Sequence, residues 1–524
     1  MTKQYIDGEE LQKKILLGVN KLADNVAITL GPRGRNVILS RSTGNPVITK
    51  DGVTVAKFVD LEDPFENAAA QLIKQAASET NNLAGDGTTT STVLAREIYV
   101  KSQKYLAAGV SPVELKRGMD KAVEEIIFNI KRLSRPIDSK EDIEHVATIS
   151  ANGDQSIGKL IATASEQAGH DGAITVEEAK SFDTSLDVVE GFQFDSGYFA
   201  QAFVTDERKN SIEYNESLIL VTDYKIDSVQ EILPVLELVA REGKPLIIVA
   251  EQVEGQALAA LIMNTVRGSM KVAAVKAPGY GQERKNIMLD LCLSTGTEFI
   301  SRASGKKLSD VTLSDLGLCS RVEILKNHTT IVDGNADYSC VESKIESLKA
   351  EIKQTSNMDE CRVLQKRITR LASGVAIIRV GAGTEVEMTE KKHRVEDALE
   401  AVRAAMAEGV VPGGGSTLLR CQKFKINAEN EDQAIGAKII KESLAGPLKQ
   451  MAKNASLSPD LIVRDVKRSK NKGWDFKNNK LVCMMSAGII DPAKVTRIAL
   501  QSAVSVASTL ITTKNAIVEI KNES

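Results

Sequence analysis

The sequence predicts a multi-domain protein of α and α/β class, with mainly helical ends and an α/β segment between them. The chain has 524 residues, enough for about three domains at roughly 150 residues each. Both ends carry alanine-rich runs with apolar residues at helical spacing, so both are predicted to be helical. The middle instead alternates β-branched apolar runs with helical stretches, which is typical of an α/β layer.

The first 130 residues are predicted to be mostly helical. Apolar residues recur at helical spacing from Leu11 to Val26, after Asp7 as N-cap. The predicted elements are a helix from Asp7 to Gly31-Pro32, strands over 36–40 and 46–49, a helix over about 67–83, and a helix that begins just after Gly87.

The remaining elements follow the same two periodicities. Apolar runs predict strands, helical spacing predicts helices, and Asp491-Pro492 resembles an N-cap followed by proline at the start of a last helix. These elements are strands over 218–221, 246–249 and 272–275, helices around 229–240 and 254–266, a helical hairpin over 341–371 joined near Ser356-Asn357 and packed on the α/β layer, and a final helix with a small-residue face from Val495 to Leu510.

The composition argues against several kinds of partner and site. With 67 basic and 70 acidic residues the formal net charge is −3, which argues against a nucleic-acid partner, and the longest apolar runs are too short to predict a membrane span. The six cysteines and four histidines are scattered, so free thiols in a reducing compartment are favoured over disulfides or a Cys/His metal site. The N-terminal residues lack a signal or transit pattern, so a bacterial-type cytoplasmic location is expected, with a processed organellar form as the alternative.

The densest chemical motif runs from Leu83 to Thr92 between two predicted helices. Gly85 and Gly87 permit a sharp turn, and the amides and hydroxyls after them open a helix N-terminus that favours a phosphate. Asp86 would repel a bare phosphate, so it fits best as a ligand of a bridging cation such as Mg²⁺. The alternative is a glycine turn with threonine caps.

Three more loops combine glycine with charged or flexible residues, and each alone could be a plain turn. They span residues 29–35, 49–54 and 410–415. Neither a Walker A loop nor a dinucleotide fingerprint occurs in the chain. Asp397 lies in what is predicted to be the start of an alanine-rich helix, where a solvated charge is the commoner reading and a water-orienting base the other.

Seven motifs resemble those of the group I chaperonins of the GroEL type. In order they are LGPRGRNV (30–37), TKDGVTVAK (49–57), AGDGTTT (84–90), VKAPGYG (275–281), EVEMTEKKHRVEDAL (385–399), EGVVPGGG (408–415) and DPAKVTR (491–497). The likeness extends from about residue 3 to residue 515. It implies a mainly helical equatorial ATPase domain (1–132 and 409–524), a small α+β intermediate hinge domain (133–190 and 375–408) and an α/β apical domain (191–374), nested as insertions.

The resemblance also implies a site for ATP and Mg²⁺, with K⁺ as a further candidate ion. Asp397 and Asp51 would be catalytic, and Asp86 would hold the metal. The nucleotide-binding residues would be Thr29, Leu30, Gly31, Pro32, Lys50, Asp86, Gly87, Thr88, Thr89, Thr90, Gly414 and Asp491. The apical residues that match the polypeptide-binding surface of the family are Tyr198, Phe203, Leu233, Leu236, Leu258, Ile262 and Met263.

The implied function is an ATP-dependent chaperone that captures non-native polypeptides, assembles as heptameric rings and works with a small cochaperonin lid. Three departures favour a divergent paralogue: Ala202 replaces an aromatic, residues 473–476 do not reproduce the adenine-side segment, and the C-terminus lacks a Gly-Gly-Met tail. A paralogue that binds unfolded or other proteins without a productive folding cycle is therefore the main alternative. An unrelated metal-dependent phosphohydrolase is a third.

Overall fold

The computed structural model describes residues 2–40, 46–137, 139–168, 173–179, 181–355, 358–372, 374–469 and 471–520. Its contacts divide the chain into two compact units. Unit 1 comprises residues 1–163, 178–183 and 380–524, and unit 2 comprises 164–177 and 184–379. Unit 2 is therefore an insertion within unit 1. The finer division into three domains stays a prediction.

The helices of the described residues are numbered in chain order. They are α1 (Gly8–Ala27), α2 (Gly52–Phe58), α3 (Pro64–Ala84), α4 (Thr88–Ala107), α5 (Pro112–Leu133), α6 (Lys140–Ser150), α7 (Gln155–Ala168), α8 (Val229–Glu242), α9 (Gly255–Val266), α10 (Gly281–Thr295), α11 (Tyr338–Gln354), α12 (Met358–Ala372), α13 (Glu385–Glu408), α14 (Ser416–Cys421), α15 (Glu431–Ser443), α16 (Gly446–Asn454), α17 (Pro459–Arg468) and α18 (Ala493–Thr512).

The strands are numbered in the same way. They are β1 (Thr2–Asp7), β2 (Val37–Leu39), β3 (Val47–Thr49), β4 (Ala173–Glu178), β5 (Ser185–Phe194), β6 (Ile212–Ile226), β7 (Leu246–Val253), β8 (Val272–Lys276), β9 (Phe299–Ile300), β10 (Gly317–Ile324), β11 (Thr329–Gly334), β12 (Gly374–Val380), β13 (Val410–Pro412), β14 (Gly473–Asp475), β15 (Lys480–Val482), β16 (Ile490–Pro492) and β17 (Asn515–Ile520).

The core of unit 1 is built around α18, which packs against α3, α4 and α5. Its alanine-rich face allows this close approach, and Ala499, Ala503 and Ala507 are fully buried. By length and composition α18 could cross a membrane, but 67% of that window is buried inside the protein. Such burial is what a helix at the centre of a helical core requires.

The chain ends differ from the mainly helical prediction because β1 pairs antiparallel with β17, with Thr2 opposite Ile520. The predicted strands near 36–40 and 46–49 form the hairpin β2–β3. Helix α1 ends at Ala27, four residues before the predicted Gly31-Pro32. There the backbone tightens, since the amides of Thr29 and Leu30 donate to carbonyls only three residues back.

Unit 2 contains a sheet with the order β4-β12-β5-β11-β10-β6-β7-β8, and β9 also pairs with β6. The predicted strands fall in β6, β7 and β8, which pair in parallel, and α8 and α9 connect them. These strands bury both faces, which accounts for their continuous apolar runs. The sheet's β5 and β12 bring Glu190 opposite Gly374.

The predicted hairpin is α11 and α12, and it packs on the α/β layer through Leu348, Leu364 and Ile368. The predicted joint at Ser356-Asn357 lies outside the described residues. A buried bidentate pair fixes the hairpin, since the Arg367 guanidinium donates to both carboxylate oxygens of Asp290 at 2.9 and 2.6 Å.

Candidate nucleotide-binding site

A cavity of about 510 Å³ lies within unit 1. The segments that line it include five that are distant in sequence: residues 29–32, the Lys50-Asp51-Gly52 turn, the loop before α4, residues 412–415 and residues 488–496. The cavity brings together every catalytic and nucleotide-binding residue implied by the resemblance. These are Thr29, Leu30, Gly31, Pro32, Lys50, Asp51, Asp86, Gly87, Thr88, Thr89, Thr90, Asp397, Gly414 and Asp491.

One end of the cavity is the N-terminus of α4. Gly85 and Gly87 have φ values of +71° and +86°, so the chain turns there through left-handed conformations that suit glycine. Gly87 is the N-cap and offers no side chain, so the first amides of α4 are open to a ligand. A Cβ at Gly52 would lie 2.3 Å from Thr89 Oγ1, which shows how closely the second loop approaches this end. The arrangement can bind phosphate oxygens.

Asp86 is held by hydrogen bonds to both carboxylate oxygens. The Gly87 amide donates to Oδ1, and the Ser150 hydroxyl donates to Oδ2 at 2.9 Å. Burial raises the pKa of Asp86, and the charge of Asp51 raises it further. Burial likewise raises the pKa of Asp491 to about 7, with a further contribution from Asp86.

These crowded carboxylates fit a divalent cation. Asp51, Asp86, Asp397 and Asp491 share one cavity, and like charges in low dielectric destabilise one another unless a cation compensates them. In the part of the chain that the structure describes, no group of three or more His, Cys, Asp or Glu is placed to hold a metal alone. Mg²⁺ keeps several waters and takes one or two protein carboxylates plus phosphate oxygens, so Asp86 together with a bound phosphate is the donor set that could hold it.

Asp51 also caps α2, because its carboxylate accepts from the amides of Val53 at 3.1 Å and Thr54 at 3.0 Å. These two hydrogen bonds fix the direction of the Asp51 side chain. The preceding Lys50 has its Nζ 3.4 Å from the carbonyl oxygen of Gly31. Burial lowers the pKa of Lys50, as expected of an ammonium group held away from water.

Asp397 lies in the middle of α13, not at a helix start as predicted, since α13 begins at Glu385. The reading of Asp397 as a solvated N-terminal charge is therefore wrong. The Ser150 Oγ lies 3.2 Å from the Asp397 carbonyl oxygen and so connects α6, α13 and Asp86. Helix α13 also rests directly on Gly85, where a Cβ would lie 2.2 Å from Glu400 Cβ.

The opposite end of the cavity contains Gly414 and Asp491. Asp491 belongs to β16, which pairs with β13, and α18 begins only at Ala493. The prediction of Asp491 as a helix N-cap is therefore corrected. Its carboxylate instead accepts from the Gly414 amide. Gly414 has φ +61°, so the chain turns there in a conformation that favours glycine.

Several lining residues were missed by sequence reasoning. Among them are Ser150, His145 and the turn after Trp474, which sits in the segment already noted as departing from the family pattern. The turn is built on Asp475, whose carboxylate accepts from the amides of Lys477 and Asn478 at 2.9 and 3.1 Å. An aspartate two and three residues before such amides is the signal that could have found it.

Comparison with known proteins identifies the fold. The model of the TCP-1/cpn60 chaperonin family matches residues 22–521. The chain belongs to this chaperonin family.

Solved chaperonins of similar fold include gp146 from bacteriophage EL 2 (Pseudomonas aeruginosa), crystallised in the presence of ATP-BeFx. Two crystal forms match with TM-scores of 0.71 and 0.64, each at 20% sequence identity over 99% of both chains. At that identity the likeness establishes the fold. The prediction of a chaperonin with a GroEL-like, multi-domain α and α/β fold is confirmed.

The predicted polypeptide-binding residues of this chaperonin lie in unit 2, and their exposure differs. Leu233 and Met263 are 44% and 45% exposed, whereas Tyr198, Leu258 and Ile262 are half-buried and pack on the core. Phe203 and Leu236 lie in the core at 0% and 5% exposure, so this conformation does not present them at the surface, and their role in polypeptide binding stays a prediction.

Proposed function

We propose that this chaperonin binds and hydrolyses ATP with Mg²⁺ in the cavity of unit 1 and uses the cycle to fold non-native polypeptides. The observation that carries the proposal is the convergence of residues from 29 to 491 on one cavity with phosphate-binding amides and crowded carboxylates. The ATP analogue present with the phage chaperonin supports it. We place the activity in a bacterial-type cytoplasm.

Each residue has a role that its position allows. The amides of α4 and the Thr88, Thr89 and Thr90 hydroxyls would bind the phosphates, and Lys50 would add positive charge. Asp86 would hold Mg²⁺, which when bound supplies charge neutralisation at the transferred phosphoryl group. Asp51 and Asp397 would orient the attacking water and accept its proton.

The client-binding part of the proposal rests on unit 2. Leu233 and Met263 present exposed apolar side chains on the neighbouring helices α8 and α9. Exposed apolar patches of this kind capture apolar segments without sequence specificity. In the proposed cycle the chaperonin forms heptameric rings whose cavity a small cochaperonin closes, and ATP hydrolysis times release.

The ATPase proposal is tested by phosphate release from the purified protein with Mg·ATP. Asp397→Ala is expected to lower turnover by about 10²-fold or more, since it removes a group that positions the water. Asp120→Ala removes an exposed carboxylate on α5 and serves as the matched control. Absent turnover in the wild type, or an unchanged rate in Asp397→Ala, would contradict the proposal.

A second candidate is binding of non-native proteins without a folding cycle. Ala202 in place of an aromatic favours it, because this departure from the family pattern indicates a divergent paralogue. Refolding of a chemically denatured client separates the two. Recovery that depends on ATP and a cochaperonin supports the cycle, whereas client retention regardless of ATP supports the second candidate.

A further inference from the structure

Arg33 joins two segments that line the cavity. Its Nε donates to the carbonyl oxygen of Phe476 at 3.3 Å, and its Nη2 donates to that of Lys477 at 3.1 Å. Arg33 directly follows the Gly31-Pro32 segment at the cavity wall, while residues 474–478 line the same cavity. One guanidinium therefore joins segments that are more than 440 residues apart in the chain.

The turn that Arg33 holds is otherwise organised from within. Asp475, which is 6% exposed, satisfies the amides of Lys477 and Asn478 and accepts from the Asn478 side chain at 2.7 Å. Phe476 is 3% exposed and belongs to a small apolar cluster on which Leu30 packs. Two amides of the turn thus donate hydrogen bonds to Asp475, and two of its carbonyl oxygens accept hydrogen bonds from Arg33.

The loop on the other side of Arg33 is fixed as well. The Asn454 side-chain amide lies 2.9 Å from the carbonyl oxygens of both Ala27 and Leu30. A Cβ at Gly31 would lie 2.7 Å from Met451 Cγ, so this loop sits tightly on α16. Each segment is thus held by its own hydrogen bonds and packing, and the planar guanidinium of Arg33 fixes the position of one segment relative to the other.

We infer that Arg33 is a positioning residue that fixes the 474–478 turn against the 29–32 loop and thereby sets the affinity of the cavity for the nucleoside part of its ligand. The inference rests on the proposed nucleotide site. In the proposed site the phosphates lie at the N-terminus of α4, which leaves the base and ribose to the other walls of the cavity, among them the 474–478 turn. Arg33 acts through this turn and not through its charge on the phosphates. Removing Arg33 therefore weakens the binding of ligands that carry a base and a ribose, and leaves the binding of ligands that carry phosphates alone unchanged.

The test compares Kd values for Mg·ADP and for magnesium tripolyphosphate, measured by titration calorimetry on the full-length protein. Arg33→Ala is expected to raise the Kd for Mg·ADP about tenfold, the effect of losing hydrogen bonds from a charged donor, and to leave that for tripolyphosphate within about twofold. Arg35→Ala is the matched control, since Arg35 carries the same charge, is exposed as Arg33 is, and lies only two residues away.

Arg33→Lys keeps the positive charge but loses the planar fork, so it is expected to behave like Arg33→Ala toward Mg·ADP. It also preserves the test if Arg33→Ala fails to fold. If Arg33→Ala raises the Kd for both ligands equally, Arg33 acts on the phosphates and the inference is overturned. An unchanged Kd for Mg·ADP would also overturn it. A wild-type protein that binds neither ligand would instead refute the proposed nucleotide site.

Discussion

Replacing Gly85 by alanine should separate the two carboxylates that the proposed hydrolysis needs together. Gly85 adjoins Asp86, and it supports α13 at Glu400, which lies three residues after Asp397. A Cβ at position 85 would lie 2.2 Å from Glu400 Cβ and 2.7 Å from its Cγ. Since these atoms pack at about 3.5–4.0 Å, either α13 or the loop must move by more than about 1 Å.

The magnitude follows from two separate effects. A left-handed alanine at φ +71° costs about 1–2 kcal/mol in stability. The displacement of Asp397 relative to Asp86 acts on the reaction instead, and a misplacement of about 1 Å can lower a rate by about 10²-fold. Gly85→Ala should therefore fold with reduced stability and lose about two orders of magnitude in ATP turnover.

The assay measures phosphate release and the thermal midpoint for Gly85→Ala and Gly109→Ala. Gly109 has a similar φ of +84° but meets nothing within 4 Å, so its variant carries the backbone strain without the displacement. We expect Gly109→Ala to lose stability and keep its turnover. If Gly85→Ala turns over ATP within about threefold of the wild type, the contact of α13 with Gly85 does not position Asp397.

Three further predictions concern single groups. Burial and Asp86 raise the pKa of Asp491 to about 7 from 3.8, so ligand-free protein should lose stability as pH rises from about 4 to about 7. Asp491→Asn should show a smaller fall in Tm over that range. Ser150→Ala, which removes a donor to Asp86, should raise the Kd for Mg·ADP about tenfold in titration calorimetry. Iodoacetamide, followed by peptide mass spectrometry, should label exposed Cys483 first, since a neighbouring serine hydroxyl lowers its pKa, and spare Cys421, whose burial raises its pKa to about 12.

Each of these has a contrary outcome. An equal Tm decline in wild type and Asp491→Asn would show that Asp491 does not take up a proton on folding. Ser505→Ala removes a hydroxyl from the exposed face of α18, and an equal effect from it would make the Ser150 result non-specific. Labelling of Cys421 as fast as Cys483 in the folded protein would contradict the burial of that thiol.

Local signals predicted the loop before α4 and the start of that helix. The loop after Leu83 combines glycines, a carboxylate and hydroxyls within a few residues, so its turn and the start of α4 at Thr88 can be read directly. The strands β6, β7 and β8 were equally readable, since buried parallel strands form continuous apolar runs. These features are decided by residues that are neighbours in the chain.

The rest depends on contacts between distant segments. Nothing near Ser150 indicates that its hydroxyl meets Asp86, 64 residues earlier in the chain. Asp491-Pro492 matches a helix start, yet pairing with β13 keeps both residues in a strand. Strand β1 was hidden for the same reason, because the segment Thr2–Asp7 becomes a strand by pairing with β17 at the other end of the chain.

The central position of α18 also bears on how the chain reaches its native state during synthesis. Unit 2 is nearly continuous, so it can fold as soon as residue 379 has left the ribosome. Unit 1 cannot complete its fold at that point, because α3, α4 and α5 pack against α18. Helix α18 begins about 330 residues after residue 163, where the first segment of unit 1 ends. At about 5–20 residues per second the apolar faces of those helices remain uncovered for roughly 20–70 s. During that interval the nascent chain exposes apolar helix faces, as a non-native polypeptide does.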